Sequence, residues 1–283
     1  MRMRLERVGL LASGRPSTAT LVGIVLACLV ALPSLLSLAP YAVDLEAILQ
    51  PPSRIHLLGT DENGRDALAR LVVGARATLG IGAGATLVAI ALGAAIGAIA
   101  GYRGGFLDSA LMRFVDFALA FPSLFAILLF AAVFSPGPLQ LVLLIGCTGW
   151  MTTARLVRAR MKELLATPYV EAAWSLGASG REVIYNHLIP NLHGILFVAG
   201  LVQLSRSVVA EATISFLGFG VQPPTPTWGN LLIGAQNYVY TAPWLALAPG
   251  LAITGTLLAI STLGIGGPPT RLIRGPHEDI SDT

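Results

Sequence analysis

The chain has 283 residues, 54% of them hydrophobic and only 12% charged, with a mean hydropathy of +0.74. A soluble domain carries about 25% charged residues, so a water-soluble globule is excluded and most of the chain is expected to face lipid. The formal net charge of +3 is no sign of nucleic-acid binding; its content lies in where the charges sit.

A membrane span needs roughly 20 apolar residues. Six stretches qualify, at about 18–39, 77–101, 114–134, 139–160, 192–219 and 244–266. They define an N-terminal segment (1–17), a transmembrane domain (18–266) and a C-terminal tail (267–283). The first run follows Arg2, Arg4, Arg7 and Arg15 and so resembles a signal peptide. Signal cores are shorter, about 7–15 residues, which favours an uncleaved span. Cys28 and Cys147 fall inside spans, without His or acidic neighbours, and imply neither a disulfide nor a metal.

The first external loop, about 40–76, is long and charge-balanced. Asp61-Glu62-Asn63-Gly64 reads as a turn. In the second span Gly93, Gly97 and Gly101 recur every four residues, which lets another helix approach closely. Arg113 and Asp116 stand three apart at the edge of the third span and predict an interfacial ion pair. The fourth span ends in Arg155, Arg158, Arg160 and Lys162.

The loop at about 161–190 is the longest polar run between apolar segments. Pro168 can open a helix, with Val170 and Trp174 at i, i+4. Gly177 permits a left-handed turn. Ser179 or Gly180 can cap a second short helix through Val183 and Ile184, and Pro190 starts the fifth span. Trp174 and Leu176 are left exposed, a pattern that usually meets a partner; on spacing alone, a capped surface loop without a partner fits as well. Arg206 and Glu211 are the charges inside the fifth span. Such residues are costly and face a cavity or a partner, but five residues apart these two do not share a face well.

Lys and Arg collect in cytoplasmic loops. The N-terminus, the 102–113 loop, the 155–190 region and the tail (Arg271, Arg274) are basic, whereas 135–138 and 220–243 carry no charge. Six spans with both termini inside fit this alternation, the balanced first external loop excepted. No Gly-x-x-x-x-Gly-Lys-Ser/Thr loop is present. Nor is there a paired-carboxylate, metal-spaced His/Cys or Ser/His/Asp arrangement. The chain is therefore expected to hold no cofactor and to catalyse nothing itself.

Several segments together resemble one family. Glu171-Ala172-Ala173, three residues, Gly177, nine residues and then His187-Leu188-Ile189-Pro190 is similar to the cytoplasmic loop by which permease subunits of bacterial ABC importers grip their ATPases. His187 is typical of the dipeptide/oligopeptide/nickel branch. Leu58–Arg70 (LGTDENGRDALAR) resembles that branch's Gly-Thr-Asp-x-x-Gly-Arg-Asp loop. Glu211–Asn230 (EATISFLGFGVQPPTPTWGN), Tyr102-Arg103-Gly104-Gly105 and Pro243-Trp244 fit too. The resemblance covers about 55–265. It implies an all-α type I importer permease in the bacterial plasma (inner) membrane, the shorter of two paired permeases.

By that resemblance the partners are a homologous second permease, two ATP-binding subunits that carry the ATP and Mg, and an external solute-binding protein. A dipeptide or oligopeptide is the implied cargo, with nickel or a nickel chelate as the alternative. Glu171, Ala172, Ala173, Trp174, Gly177 and Pro190 would couple to the ATPase. Gly59, Thr60, Asp61, Gly64, Arg65 and Asp66 would serve the external loop or gate, and Arg206 and Glu211 are candidates for the pathway. A stand-alone secondary transporter would need its own buried coupling-ion site, for which only Glu211 is available. The branch's acidic Leu-Gly-Asp-Gly-Leu-Arg-Asp tail is replaced by Leu263-Gly264-Ile265-Gly266-Gly267-Pro268-Pro269, so nothing carries over for the tail.

Overall fold

The computed structural model describes residues 38–265 apart from 135. Most of the expected first span, the whole N-terminal segment that precedes it and the C-terminal tail lie outside the described residues. Backbone N–H and C=O groups in lipid have no water to bond, so the chain must satisfy them within helices. The described residues follow that rule. α1 (Ala67–Arg103) is followed by α2 (Gly105–Ala120), α3 (Ser123–Phe134), α4 (Pro138–Leu165), α5 (Pro168–Ser175) and α6 (Gly180–Val183). Then come α7 (Ile189–Phe216), α8 (Trp228–Leu231) and α9 (Trp244–Ile265).

Four helical segments are long and apolar enough to cross a membrane: α1, α4, Gly180–Phe216 and α9. The expected third span is broken. α2 and α3 meet at a 71° bend, and counted as one span they make a fifth. The break has a local cause. Pro122 lacks an N–H and disfavours helical backbone at the residue before it, and Phe121 is indeed extended (φ −89°, ψ 129°).

The bundle is organised around α1 and α4, its most extensive helix pair. Gly93, Gly97 and Gly101 form the contact. A Cβ on Gly93 would lie 2.6 Å from the carbonyl of Trp150, and one on Gly101 would lie 2.6 Å from Cβ of Met161. At Gly97 it would collide with the carbonyl of Ala154. The stripe packs backbone against backbone, as small residues do in membranes. α7 lies on the other flank of this pair, with Ile81, Ala85, Ile145 and Ile214 in one buried cluster.

The charges expected at the cytoplasmic edge pair differently from expectation. Arg113 and Asp116 do not form an ion pair. Asp116 instead pairs with Arg155 of α4, because the two helices cross there and bring a fixed cation over the acid. Asp108, 4% exposed, takes both Arg158 and Lys162; its contact with Lys162 Nζ is 2.6 Å.

The glycine contact yields a test. Gly97→Val should destabilise the folded protein by about 1–3 kcal/mol through overpacking. Gly80→Ala, where a Cβ meets nothing within 4 Å, should be neutral or stabilising. Thermal unfolding in detergent reads both; equal stability of Gly97→Val would mean the contact is looser than described.

Candidate functional site

The 161–190 segment, expected on the cytoplasmic side, is a folded knob rather than a loose loop. α5 opens at Pro168, whose missing N–H is harmless in a first turn. Val170 turns inward, fully buried in a cluster with Val157, Met161 and Leu164 of α4 and Val183, Leu188 and Leu192 beyond. Ala173 packs at the edge of the same cluster. Glu171 and Ala172 point outward, with Trp174 42% and Leu176 88% exposed. An apolar stem thus holds α5 down while an acid and two large apolar side chains face away.

Two turn motifs shape the knob's tip. The Gly177 N–H donates to Trp174 O and the Ala178 N–H to Ala173 O, both at 3.0 Å. This is the paired ending that needs a left-handed residue, and Gly177 has φ +88°. Ser179 then caps α6. Its hydroxyl accepts from the Glu182 N–H at 3.3 Å, and the Glu182 carboxylate accepts from the Ser179 N–H at 2.6 Å. Of the two expected caps it is Ser179 that acts, in the reciprocal box.

Pro190 does not begin a separate helix. α6 passes into α7 through a π-helical turn, Ile184–Leu188, in which the Ile189 N–H reaches Ile184 O. A proline has no N–H to continue the ordinary ladder, and a wider turn absorbs the missing bond. Helix is therefore continuous from Gly180 to Phe216. His187 stacks obliquely on Tyr169, ring centroids 5.9 Å apart.

The external-loop candidates come together, but facing inward. Asp61 Oδ1 accepts from the Asn63 and Arg65 N–H groups, each at 2.9 Å, and Oδ2 accepts from Arg65 Nε at 2.8 Å. Thr60 is buried, its hydroxyl donating to Ala47 O and accepting from the Gln50 N–H. Asp66 caps α1 by accepting from the Ala69 N–H at 2.8 Å and contacts His56 Nδ1 at 2.9 Å. Gly59 and Gly64 both have positive φ, and a Cβ on Gly64 would collide with the Asp44 carbonyl. The six residues form an internal knot, and its exposed face is made by Glu62 and Asn63.

Arg206 and Glu211 do not meet. Glu211 is fully buried. Its Oε1 accepts from the Ser215 hydroxyl at 2.7 Å, and Oε2 makes no hydrogen bond. Arg206 is exposed on another face, its nearest polar contact being Nη1 to Thr152 Oγ1 at 3.5 Å. It borders a cavity of about 320 Å³ at the Phe121–Pro122 break.

Sequence reasoning missed three participants. Arg70, counted only as loop charge, is buried beside Asp61, its Nε 3.4 Å from Oδ2. Trp244 closes the external knot, its Nε1 donating to Thr60 O at 3.3 Å. Gln203, Ser207, Glu211 and Ser215 make a buried polar ladder on α7, and their i, i+4 spacing could have revealed it. Among the described residues no group of His, Cys, Asp or Glu could hold a metal ion.

Three comparisons bear on this arrangement. The family model described as the inner membrane component of binding-protein-dependent transport systems matches residues 93–266. The chain is similar to the oligopeptide transport system permease protein OppC of Mycobacterium bovis and of Mycobacterium tuberculosis H37Rv. It is 35% identical to each over 238 residues, which is 83% of this chain and 82% of the relative. A Brucella suis protein named as a peptide permease is 35% identical over 229 residues, 80% of this chain and 76% of that one. Among solved structures, an inward-facing MetNI methionine ABC transporter chain superposes with TM-score 0.54 over 70% of this chain and 94% of its own. At 20% identity that likeness speaks for the fold alone.

The external knot should be a stability element. Asp61→Ala strands Arg65 and Arg70 and should cost about 1–3 kcal/mol, with faster proteolysis of the 40–66 segment. Glu62→Ala, on the exposed face, should stay within about 0.5 kcal/mol of wild type. Equal proteolysis of the two variants would contradict an inward-facing knot.

Proposed function

This chain belongs to the inner-membrane component family of binding-protein-dependent transport systems, and we propose that it is one permease subunit of an ATP-driven importer of dipeptides or oligopeptides. It is a multi-pass inner-membrane protein and, as a permease, not itself catalytic. In the proposed assembly a homologous second permease completes the pathway. Two ATP-binding subunits, which carry ATP and Mg, sit on the cytoplasmic side. An external solute-binding protein delivers the peptide. The names of the similar proteins favour peptide over nickel or a nickel chelate, and family membership disfavours a stand-alone secondary transporter.

The observation that carries this reading is the knob at 168–183 on its helical rod. Glu171, Ala172 and Trp174 offer an outward surface on α5, Ala173 and Val170 fasten it, and Gly177 turns the chain back. From Gly180 helix continues through the turn before Pro190 into the membrane as far as Phe216. A push on the knob is then a push on α7. Alternating access follows as a shift between two states, biased by ATP below and by the loaded binding protein above. The basic cytoplasmic loops and the charge-free 220–243 loop favour six spans with both termini inside. In this scheme Gly59, Thr60, Asp61, Gly64, Arg65 and Asp66 give the external mouth a fixed shape. Contact with the binding protein falls to Glu62 and Asn63.

The test separates attachment from work. Glu171→Arg places a cation in the first turn of α5, where the helix dipole favours an anion. Gly177→Asp strains the left-handed turn by roughly 1 kcal/mol and adds charge at the tip. Both variants should reach the membrane and assemble with the second permease, yet lose ATPase subunits in pull-down, or hydrolyse ATP without uptake in reconstituted vesicles. Wild-type attachment, hydrolysis and uptake in both would remove the knob from the coupling path.

A further inference from the structure

The cavity beside Arg206 is a polar pocket within the membrane span that has no counter-charge of its own. Its walls come from the break between α2 and α3 (Phe121, Pro122, Ser123), from α4 (Met151, Thr152) and from α7 (Gln203, Arg206). No Asp or Glu lines it. The Arg206 guanidinium has no carboxylate within ion-pair reach among the described residues, and its contact with the Thr152 hydroxyl is at the limit of hydrogen bonding. An arginine held in lipid without an anion is costly and marks a pathway or a partner.

Two further features point the same way. The first turn of α3 opens on the cavity at Ser123. The Phe125 N–H already donates to Pro122 O at 3.0 Å, so the N–H groups of Ser123 and Leu124 are the ones with no carbonyl behind them, at the positive end of the helix dipole. Half-helices broken inside a membrane present such ends to anionic substrate groups. Gln203, 5% exposed, donates through Nε2 to the Ser207 hydroxyl at a long 3.3 Å and lines the cavity. It fits its space because Gly149 has no side chain there.

The geometry points to an intramembrane subsite for the C-terminal carboxylate of the transported peptide. Arg206 takes the two carboxylate oxygens in its fork, and the N–H groups at the start of α3 add to the hold. Gln203 Oε1 accepts a peptide N–H, and Phe121 and Met151 line the space for a side chain. The only charged side chain lining the cavity is a cation, so a bare divalent metal ion would be repelled. A lipid headgroup could also supply an anion. Arg206, however, lies ten residues before Phe216, the end of α7, or about 15 Å below that end, deeper than headgroups sit.

The inference rests on the peptide-import reading, and the test keeps the two apart. The importer is reconstituted with its ATPase subunits and binding protein. Uptake is compared for one peptide as free acid and as C-terminal amide, each at a concentration that saturates the binding protein. Arg206→Gln should cut uptake of the free acid about ten-fold and leave the amide nearly unchanged, while Arg206→Lys should recover part of the loss. Equal losses for both peptides would overturn the subsite. No uptake of either peptide by wild type would instead count against peptide import.

A second measurement needs no variant of Arg206. In a background with Cys28→Ser and Cys147→Ser, a Thr152→Cys thiol should react faster with an anionic than with a cationic thiosulfonate. The free-acid peptide should slow that reaction more than the amide does. A cationic preference, or no protection by the acid, would also overturn the subsite. Protection by anionic-lipid vesicles in place of the peptide would assign the cavity to lipid, against the proposal.

Discussion

Helices in lipid gain little by burying leucine against leucine, so α1 and α4 are held by what remains: close backbone approach at Gly93, Gly97 and Gly101. Everything else is mounted on that pair. The cytoplasmic end of α4 carries Val157, Met161 and Leu164, on which the knob's Val170 is seated. Its outer half carries Ile145 against Ile81, Ala85 and Ile214. Because the contact is backbone to backbone, it has little slack.

The two ends of the bundle are fixed by different chemistry. At the knob end Asp108 is clamped by Arg158 and Lys162, tying the start of α2 to α4 just after the Gly104–Gly105 turn. On the outer side the Asp61 knot, with Arg65, Arg70 and Trp244, joins the first external loop to α9. α7 runs between these ends with one polar ladder facing inward and Arg206 on a separate face. Glu211 belongs to the ladder, where Ser215 holds it and the α8 segment begins close by. Arg206 is the charge that meets a cavity.

Much of this was legible in the residues. Four of the expected spans correspond to long apolar helices or a single broken one, and a fifth to α9, because length and apolarity are what lipid demands. Gly177 and Ser179 announced their turn and cap through chemistry that only a few residues can perform. What was hidden depends on distant partners. The Arg113–Asp116 pair was a local expectation, and Arg155, thirty-nine residues from Asp116, took the acid. Pro190 suggested a new helix start, whereas a π turn carried the helix through. Asp61-Glu62-Asn63-Gly64 reads as a turn, but its internal bonds depend on partners such as Arg70 and Trp244 that the motif alone does not reveal.

We propose that an ATP-binding subunit sits on the tip of the α5–α6 knob. A cysteine at Leu176, the most exposed apolar position on the tip, tests it most directly in membranes holding the assembled importer. With Cys28→Ser and Cys147→Ser in the background, a short photoreactive probe attached through the Leu176→Cys thiol should cross-link to the ATPase subunit. The same probe on Gln222→Cys, at the opposite end of the bundle, should not. Cross-linking from Gln222 and none from Leu176 would place the ATPase on the other side and contradict the account.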